Sequence, residues 1–189
     1  MRHRLLLACL IAPLAAASAT AAQTPTTAVN SPSAAPRPVA TAELHDAAGT
    51  DFGTVTAWRG PLGLLLRIEG KNWPEGWHSV HLHAVGKCEG PGFTSAGGHL
   101  NHTEARPHGL LNQNGGPDLG DLQNVWAAGD GTVKAEVYLS GAGLVPPGVD
   151  QLGGDGLTFM VHANADDHVS QPIGGAGARI ACGVFERAD

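Results

Sequence analysis

An all-β domain, built as an antiparallel sandwich or barrel with two long functional loops, is the architecture that this amino-acid sequence indicates. The 189 residues include 27 glycines and 13 prolines, which favour short strands joined by many turns. Several short segments alternate apolar and polar residues with the period of two that is typical of a half-buried strand. No segment carries an apolar stripe at helical spacing over ten or more residues.

Three alternating segments define the predicted sheet most clearly. In 54–58 the apolar residues alternate with threonine, and in 64–69 three aliphatic side chains share one face while an arginine and a glutamate share the other. In 133–139 a lysine and a glutamate face water, and Gly131 supplies the turn before this strand. Further short strands are predicted at 79–83, 157–161 and 178–185.

Two stretches, 86–127 and 163–178, are long, loop-like and rich in Gly, Asn, Asp and Pro. Loops of this length in a compact domain usually carry function. We therefore expect the functional site where these loops meet the strands.

The first 22 residues have the three-part composition of a secretory signal peptide. Arg2 and Arg4 form a basic start, 5–14 is apolar, and small residues follow as far as Ala22. The apolar part is too short to cross a bilayer of about 30 Å as a helix. We therefore expect cleavage, after position 19, 21 or 22, and a periplasmic or secreted protein without a membrane span.

The rest of the chain divides into a linker and a domain. Residues 23–40 are rich in Thr, Ser, Ala and Pro and predict a disordered linker, whereas 41–189 is the predicted folded domain. Loss of the signal peptide removes two arginines and leaves nine basic and seventeen acidic side chains, a formal charge of −8. This acidic balance argues against nucleic acid and anionic membranes as partners.

The cysteine count agrees with export. Once Cys9 is removed, Cys88 and Cys182 remain, an even pair in an oxidising compartment. A bridge between them would close a loop of about 94 residues, worth up to roughly 4–5 kcal/mol in the chain-entropy model. Two unpaired buried thiols are the alternative, but thiols seldom stay free outside the cytosol.

Five of the ten histidines lie where they could share a metal. His81 and His83 are two apart on a predicted strand, so their imidazoles point to one face. His99 follows two glycines, which allow a close backbone approach; His108 lies nine residues later, and His162 ends another strand. An all-imidazole set suits copper or zinc, and with an open position it suits copper chemistry. The alternative is that these are ordinary surface or core histidines.

The motifs around these residues resemble those of copper/zinc superoxide dismutases of the exported bacterial type. They are Gly-Trp-His-Ser-Val-His-Leu-His at 76–83, Val-Gly-Lys-Cys at 85–88, Phe-Thr-Ser-Ala-Gly-Gly-His at 93–99, Gly-Asp-Leu at 120–122, Val-His-Ala-Asn-Ala-Asp-Asp at 161–167 and Gly-Ala-Arg-Ile-Ala-Cys-Gly-Val at 177–184. The resemblance covers 41–189. It implies a Greek-key β-sandwich, copper and zinc as cofactors, and superoxide as the substrate.

Position by position, the resemblance implies two metal sites that share one ligand. The implied copper ligands are His81, His83, His99 and His162. The implied zinc ligands are His99, His108 and Asp121, so that the His99 imidazolate bridges the two metals. Asp166 matches the carboxylate that hydrogen-bonds one histidine of each site and fixes both rings.

Two further matches concern the cleft and the loop. Arg179 matches the arginine that guides the superoxide anion to copper, a role that suits a fixed planar cation; a solvated charge at a strand end is the alternative. Cys88 and Cys182 match the family's disulfide, which ties the metal-binding loop to the last strand.

The sequence departs from the family at one zinc ligand. The family has a His-x-Gly-Asp stretch, whereas this chain has Asp118-Leu119-Gly120-Asp121. Zinc accepts carboxylate oxygens, so a site of two histidines and two aspartates is chemically sound. Asp118 could ligate after a small loop shift, zinc could bind weakly, or zinc could be lost; we expect retained but weakened zinc. His102 is a spare imidazole, and a solvent-facing role is the expected one for it.

The resemblance also implies the reaction. One superoxide ion leaves as oxygen and a second takes two protons and leaves as hydrogen peroxide, with His99 taking up a proton. A non-catalytic periplasmic copper-binding or copper-buffering protein on the same fold is the alternative, but it would have no use for Arg179. A structural relic of the fold would not retain the copper histidines. Whether the protein is a monomer or a homodimer stays open.

Overall fold

Short β-strands make up nearly all the regular structure of the described residues, which in this computed structural model are 35–102, 104–141 and 156–188. Those residues contain one 3-10 turn, Thr94–Ala96, and no α-helix. The strands are β1 Ala40–His45, β2 Asp51–Arg59, β3 Gly63–Gly70, β4 Gly76–His78, β5 Val80–His83, β6 Val125–Ala127, β7 Val133–Ser140, β8 Thr158–His162, β9 Arg179–Val184 and β10 Glu186–Arg187. The predicted signal peptide, 1–22, lies outside the described residues, as does most of the predicted linker.

The strands form one curled antiparallel sheet with a small second sheet beside it. The order is β5-β8-β9-β1-β2-β3-β7, with β10 paired to β1, and β4 pairs with β6. β1, β2 and β3 are consecutive antiparallel neighbours, and β9 returns by a long connection to lie beside β1. A late strand beside the first of three consecutive ones is a Greek-key arrangement. The predicted all-β class is confirmed.

Alternating burial follows the predicted faces of the strands. In β3, Leu66 and Ile68 are fully buried while Arg67 and Glu69 are exposed. β7 shows the same alternation, and the turn before it is made at Gly131, which has a φ of 80°. Apolar side chains on the inner face therefore form the core, as the period of two predicted.

Four strands were not predicted (β1, β4, β6 and β10), and one of them corrects a predicted loop. Residues 125–127 form β6, so the first long loop ends at 124 instead of 127. β4 and β6 have three residues each, too few to show an alternating pattern, and their Trp77 and Trp126 are about half exposed. β10 has only two residues. β1 begins at Ala40, one residue before the predicted start of the domain.

The two long loops leave the large sheet from strands that lie side by side. The first, 84–124, starts after β5, and the second, 163–178, connects β8 to β9. β5 pairs with β8, and β8 pairs with β9, so both loops leave from neighbouring strands of the sheet. No helix among the described residues is long and apolar enough to cross a membrane.

Candidate metal centre

The first long loop folds back onto β5 and hydrogen-bonds to the backbone of Leu82, the residue that separates the two histidines of this strand. The Leu82 amide donates to the carbonyl oxygen of Gly120 at 2.9 Å, and the Leu100 amide donates to the carbonyl of Leu82 at 2.7 Å. A Cβ atom at Gly120 would collide with the Leu82 carbonyl, so this approach requires glycine. As a result His99 lies opposite His83, and Asp121 lies opposite His81.

Four imidazoles converge at this point. His81, His83, His99 and His162 each bring one ring nitrogen within 4.8 Å of the others. Three of the rings are buried and that of His99 is nearly so. Within the described part of the chain, His81 Nδ1 and the Nε2 atoms of the other three are buried without a hydrogen-bond partner. Buried polar atoms normally have partners, so four orphaned nitrogens in one place indicate that these rings serve as ligands of a metal ion.

The opposite nitrogen of every one of these rings lies against a protein oxygen. His81 Nε2 is 2.9 Å from Asp166 Oδ2, and His83 Nδ1 is 2.9 Å from the carbonyl of Gly97. His162 Nδ1 is 3.3 Å from the carbonyl of Gly177, and His99 Nδ1 is 2.9 Å from Asp118 Oδ2. Each ring therefore donates on its outer side and keeps a free lone pair on the inner side. This donor set fits a copper ion.

Burial keeps three of these rings neutral. It lowers the pKa of His83 to about 2 and that of His162 to about 3, and the neighbouring rings and Arg179 add to the effect. Burial also lowers the pKa of His81, against the opposing effect of Asp166. A neutral imidazole is the form that ligates a metal, so these three rings are prepared for binding.

A second group of ligand atoms lies beside the first. His81, His99, His108 and Asp121 each have one atom within 4.8 Å of the others. Among the residues described, His108 Nδ1 and Asp121 Oδ1 are buried atoms that lack a well-formed hydrogen bond, although they lie 2.5 Å apart. His99 Nδ1 is 3.4 Å from Asp121 Oδ1. Ligand atoms around a tetrahedral zinc ion are roughly 3.3 Å apart, so this donor set fits zinc.

His81 and Asp118 both lie near the second group, and they differ in whether they have a ligand atom available for it. His81 has only Nδ1 free, because its Nε2 is bound to Asp166, and Nδ1 already belongs to the four-imidazole group. Asp118 lies outside the second group of four, yet its Oδ2 is 2.9 Å from His99 Nδ1 and its side chain is 4% exposed. Asp118 is therefore the carboxylate best placed to complete this group.

Opposite charges balance each other at the second site. Burial by itself lowers the pKa of His108, but the adjacent carboxylates of Asp121 and Asp166 outweigh it and raise that pKa to about 10. For His99 burial is likewise opposed by Asp118 and Asp121, and its pKa is raised. Burial would raise the pKa of Asp121, but hydrogen bonds from His108 and His99 lower it. The carboxylates therefore favour protonation of these rings, and they would stabilise a bound metal cation in the same way.

Asp166 connects the two groups. Its Oδ2 accepts from His81 Nε2 at 2.9 Å and its Oδ1 from His108 Nε2 at 3.0 Å. Asn124, which sequence reasoning missed, clamps the Asp166 main chain: its Oδ1 accepts from the Asp166 amide at 2.9 Å and its Nδ2 donates to the Asp166 carbonyl at 2.8 Å. Gly174, also missed, packs so closely that an added Cβ would collide with Asp166 Oδ1.

Arg179 is held at the edge of the four-imidazole group. Its Nη1 donates to the carbonyl of Phe93 at 2.7 Å and its Nη2 to the carbonyl of Gly97 at 2.8 Å. The Gly97 carbonyl also accepts from His83, so one backbone oxygen fixes both the cation and a ring. Arg179 and His99 line the same cleft of about 380 Å³. The guanidinium is therefore a fixed cation beside the metal-binding rings.

The predicted disulfide is formed. Cys88 of the first long loop is bonded to Cys182 of β9, with the two Cα atoms 5.7 Å apart. The bond closes a loop with a sequence separation of 94 residues. It fixes the first part of this loop, which precedes His99 in the chain, to the sheet.

The remaining histidines belong to neither group found among the described residues. His78 is buried, and its two ring nitrogens lie 2.7 Å from the carbonyl oxygens of His162 and Pro74. His45 is exposed, and His102 is partly exposed. His168 Nε2 is 3.3 Å from the Asn124 side-chain amide.

Comparisons with known proteins agree with one another. The sequence model of the family described as copper/zinc superoxide dismutase (SODC) matches residues 52–185. A Cu-Zn superoxide dismutase of Caulobacter vibrioides is 47% identical over 152 residues, which cover 78% of this chain and 85% of that protein. Cu-Zn superoxide dismutase 1 of Aquifex aeolicus is 36% identical over 147 residues, 77% of this chain and 86% of that protein.

Solved structures share the fold. The crystal structure of a SOD-like protein from Bacillus subtilis superposes with a TM-score of 0.72 at 30% identity, covering 78% of this chain and 99% of that one. Cu/Zn superoxide dismutase from Brucella abortus superposes with a TM-score of 0.60 at 30% identity, covering 77% and 98%. In sequence, fold and the side chains gathered at its metal centre, this chain belongs to the copper/zinc superoxide dismutase family.

Proposed function

We propose that this protein converts superoxide to oxygen and hydrogen peroxide at a copper ion held by His81, His83, His99 and His162. Copper and zinc are its cofactors. The observation that carries the assignment of ligands is the set of four orphaned nitrogens, one from each ring, which face a common point while every outer nitrogen is hydrogen-bonded. Arg179 beside this group supports catalysis over storage, because a copper buffer does not need an anion-binding cation.

The proposed zinc ligands are His99, His108, Asp118 and Asp121. His99 would then serve both metals, with Nε2 toward copper and Nδ1 toward zinc. Three of these residues have ligand atoms close to the spacing of a tetrahedral site, and Asp118 faces His99 Nδ1. Asp166 orients His81 on the copper side and His108 on the zinc side.

In the proposed reaction, two superoxide ions and two protons give one oxygen molecule and one hydrogen peroxide molecule. Copper, when bound, supplies the alternating one-electron oxidation and reduction. Arg179 attracts the anion into the cleft and hydrogen-bonds it with donors that are not used on Phe93 and Gly97. His99 would take up one proton at Nε2 when that nitrogen is released from copper and would deliver it to the forming hydrogen peroxide, whose second proton would come from solvent. Since the formal charge is −6 for the whole chain and −8 without residues 1–22, this attraction depends on the local field at Arg179.

Export from the cytosol is part of the proposal. We infer that residues 1–22 are a cleaved signal peptide, that 23–40 is a linker and that 41–189 is the catalytic domain. The signal-like composition of the first segment supports this, and so does the Cys88–Cys182 disulfide, since such bonds persist in oxidising compartments. The periplasm or the extracellular space is the proposed location.

The proposal is tested by measuring superoxide dismutation by the purified chain from residue 23 onward, loaded with copper and zinc. Arg179→Gln removes the cation, and we expect a loss of about 10- to 1000-fold in rate, the range that electrostatic attraction supplies. Arg179→Lys keeps the charge and should recover part of the rate. Arg67→Gln is the matched control, because Arg67 is paired with Glu136 on the exposed face of β3. Tight copper binding without dismutation would identify a copper-buffering protein instead.

A further inference from the structure

The four proposed copper ligands differ in what fixes their outer nitrogens. For His83 and His162 the acceptor is a backbone carbonyl, and for His81 it is Asp166. None of these three acceptors belongs to a proposed zinc ligand. The outer nitrogen of His99 instead points into the proposed zinc site, so in the family pattern the metal itself would hold this ring.

This chain places a carboxylate at that position. Asp118 Oδ2 lies 2.9 Å from His99 Nδ1, within hydrogen-bond distance, and the side chain is 4% exposed. The other oxygen, Oδ1, accepts from the Gly120 amide at 2.9 Å, and the Asp118 amide donates to Asp121 Oδ2 at 3.2 Å. The carboxylate is therefore fixed on its far side and presents Oδ2 to His99.

We propose that Asp118 is a positioning residue that holds His99 for copper when zinc is absent, so that the copper site keeps all four imidazoles in the zinc-free protein. The inference rests on the proposed copper ligands. Donation of Nδ1–H to Asp118 places the proton on the outer nitrogen and leaves the lone pair on Nε2 for copper. Hydrogen bonds to a carboxylate are stronger than those between neutral groups, and such partners of metal-bound histidines orient the ring.

The same geometry explains how one residue serves both states. Zinc bound at His99 Nδ1 would stand in place of the Nδ1 proton, and the Asp118 oxygen that accepts this proton would then face the ion. A histidine at 118 would offer a neutral acceptor in place of an anionic one. The substitution therefore exchanges a neutral zinc ligand for a residue that also orients His99 without the metal.

The test counts the nitrogens bound to copper in the purified full chain, with and without zinc. The protein is stripped of metal and given one equivalent of Cu(II), and the coordinated nitrogens are counted by electron paramagnetic resonance. We expect four nitrogens in the unsubstituted protein in both states. Asp118→Ala should show fewer than four in the zinc-free state, and its Cu(II) dissociation constant, measured by chelator competition, should rise about 10- to 100-fold.

Asp130→Ala is the matched control. Asp130 closes the same kind of turn, accepting from the amide two residues later at 3.0 Å, but it is exposed on the loop before β7 and should leave copper binding unchanged. The inference is overturned if the unsubstituted protein loses a nitrogen when zinc is removed, or if zinc-free Asp118→Ala matches it. Fewer than four nitrogens even with zinc bound would instead refute the proposed copper ligands. The comparison within the unsubstituted protein requires no variant to fold.

Discussion

Asp118 puts a carboxylate where the family's pattern has an imidazole. Its short side chain has one oxygen engaged by the Gly120 amide, so it reaches toward zinc with the other oxygen alone. We expect Asp118→His to raise zinc occupancy, because it restores a longer, neutral imidazole ligand at the position where the family has one. Metal analysis by mass spectrometry, as zinc per copper, tests this, with Asp130→His as the control. Full and equal zinc in both proteins would show that Asp118 does not weaken the site.

Gly174 leaves the space that Asp166 occupies. An added Cβ would collide with Asp166 Oδ1, so we expect Gly174→Ala to displace the carboxylate that orients His81 and His108. Metal affinity should fall about 10- to 100-fold, as measured by chelator competition for both metals. Gly175→Ala is the matched control, because Gly175 also has a positive φ, of 73°, but open space around its Cβ position. Equal losses in the two variants would attribute the effect to backbone strain.

The metal-binding side chains could be predicted from the sequence, whereas the backbone and packing groups that hold them in place could not. The histidines and Asp121 were identified from spacing and from the family resemblance, and the structure brings them together. The Gly97 carbonyl, Asn124 and Gly174 act through a backbone oxygen, an amide clamp and an absent Cβ. Such roles leave no residue-type signal in a sequence, because almost any residue offers a carbonyl and glycines occur in every turn.

At the scale of elements, the disulfide anchors the first long loop to β9. It closes a loop with a sequence separation of 94 residues, so in the chain-entropy model its removal costs up to roughly 4–5 kcal/mol. We expect the Cys88→Ser, Cys182→Ser double variant to unfold at lower denaturant concentration, with a loss of about 2–5 kcal/mol. Reductant should destabilise the unsubstituted protein in the same way and leave the variant unaffected. Unchanged stability on reduction would contradict this role.

Long alternating strands could be predicted, but the pairings that build the site could not. β3 and β7 show their two faces in the sequence because each has eight residues. β4 and β6 have three residues each; they form by pairing with each other and are too short to show an alternating pattern in the sequence. The bridge that places Asp121 opposite His81 joins residues far apart in the chain. Spacing along a sequence does not encode such a register.

Considered as a whole, the metal-free molecule should lose stability at alkaline pH. Burial opposes protonation of His108, yet Asp121 and Asp166 raise its pKa to about 10, against 6.5 for the ordinary group. The folded chain therefore keeps a proton that the unfolded chain releases above 6.5, and this stabilisation is lost as the pH rises through 10. Denaturant unfolding of chelated protein between pH 6.5 and 10 tests this. The zinc-loaded protein is the control, since the metal replaces the proton.

The same molecule should also lose stability below pH 6.5. Burial, with the nearby His99 and Arg179, lowers the pKa of His83 to about 2 and that of His162 to about 3. Below 6.5 the unfolded chain gains protons on these residues that the folded chain does not accept, so folding becomes less favourable. We expect a stability maximum near pH 6.5 for the metal-free protein. A flat profile between pH 4 and 9 would contradict the burial of neutral rings.

Crystallography at the copper absorption edge tests most directly whether one copper ion is bound by these four side chains. We expect a single strong anomalous peak bonded to His81 Nδ1 and to the Nε2 atoms of His83, His99 and His162, with the Arg179 guanidinium facing it across the cleft. Copper located elsewhere, or bonded to fewer than all four of these rings in crystals of the copper- and zinc-loaded protein, would contradict this assignment.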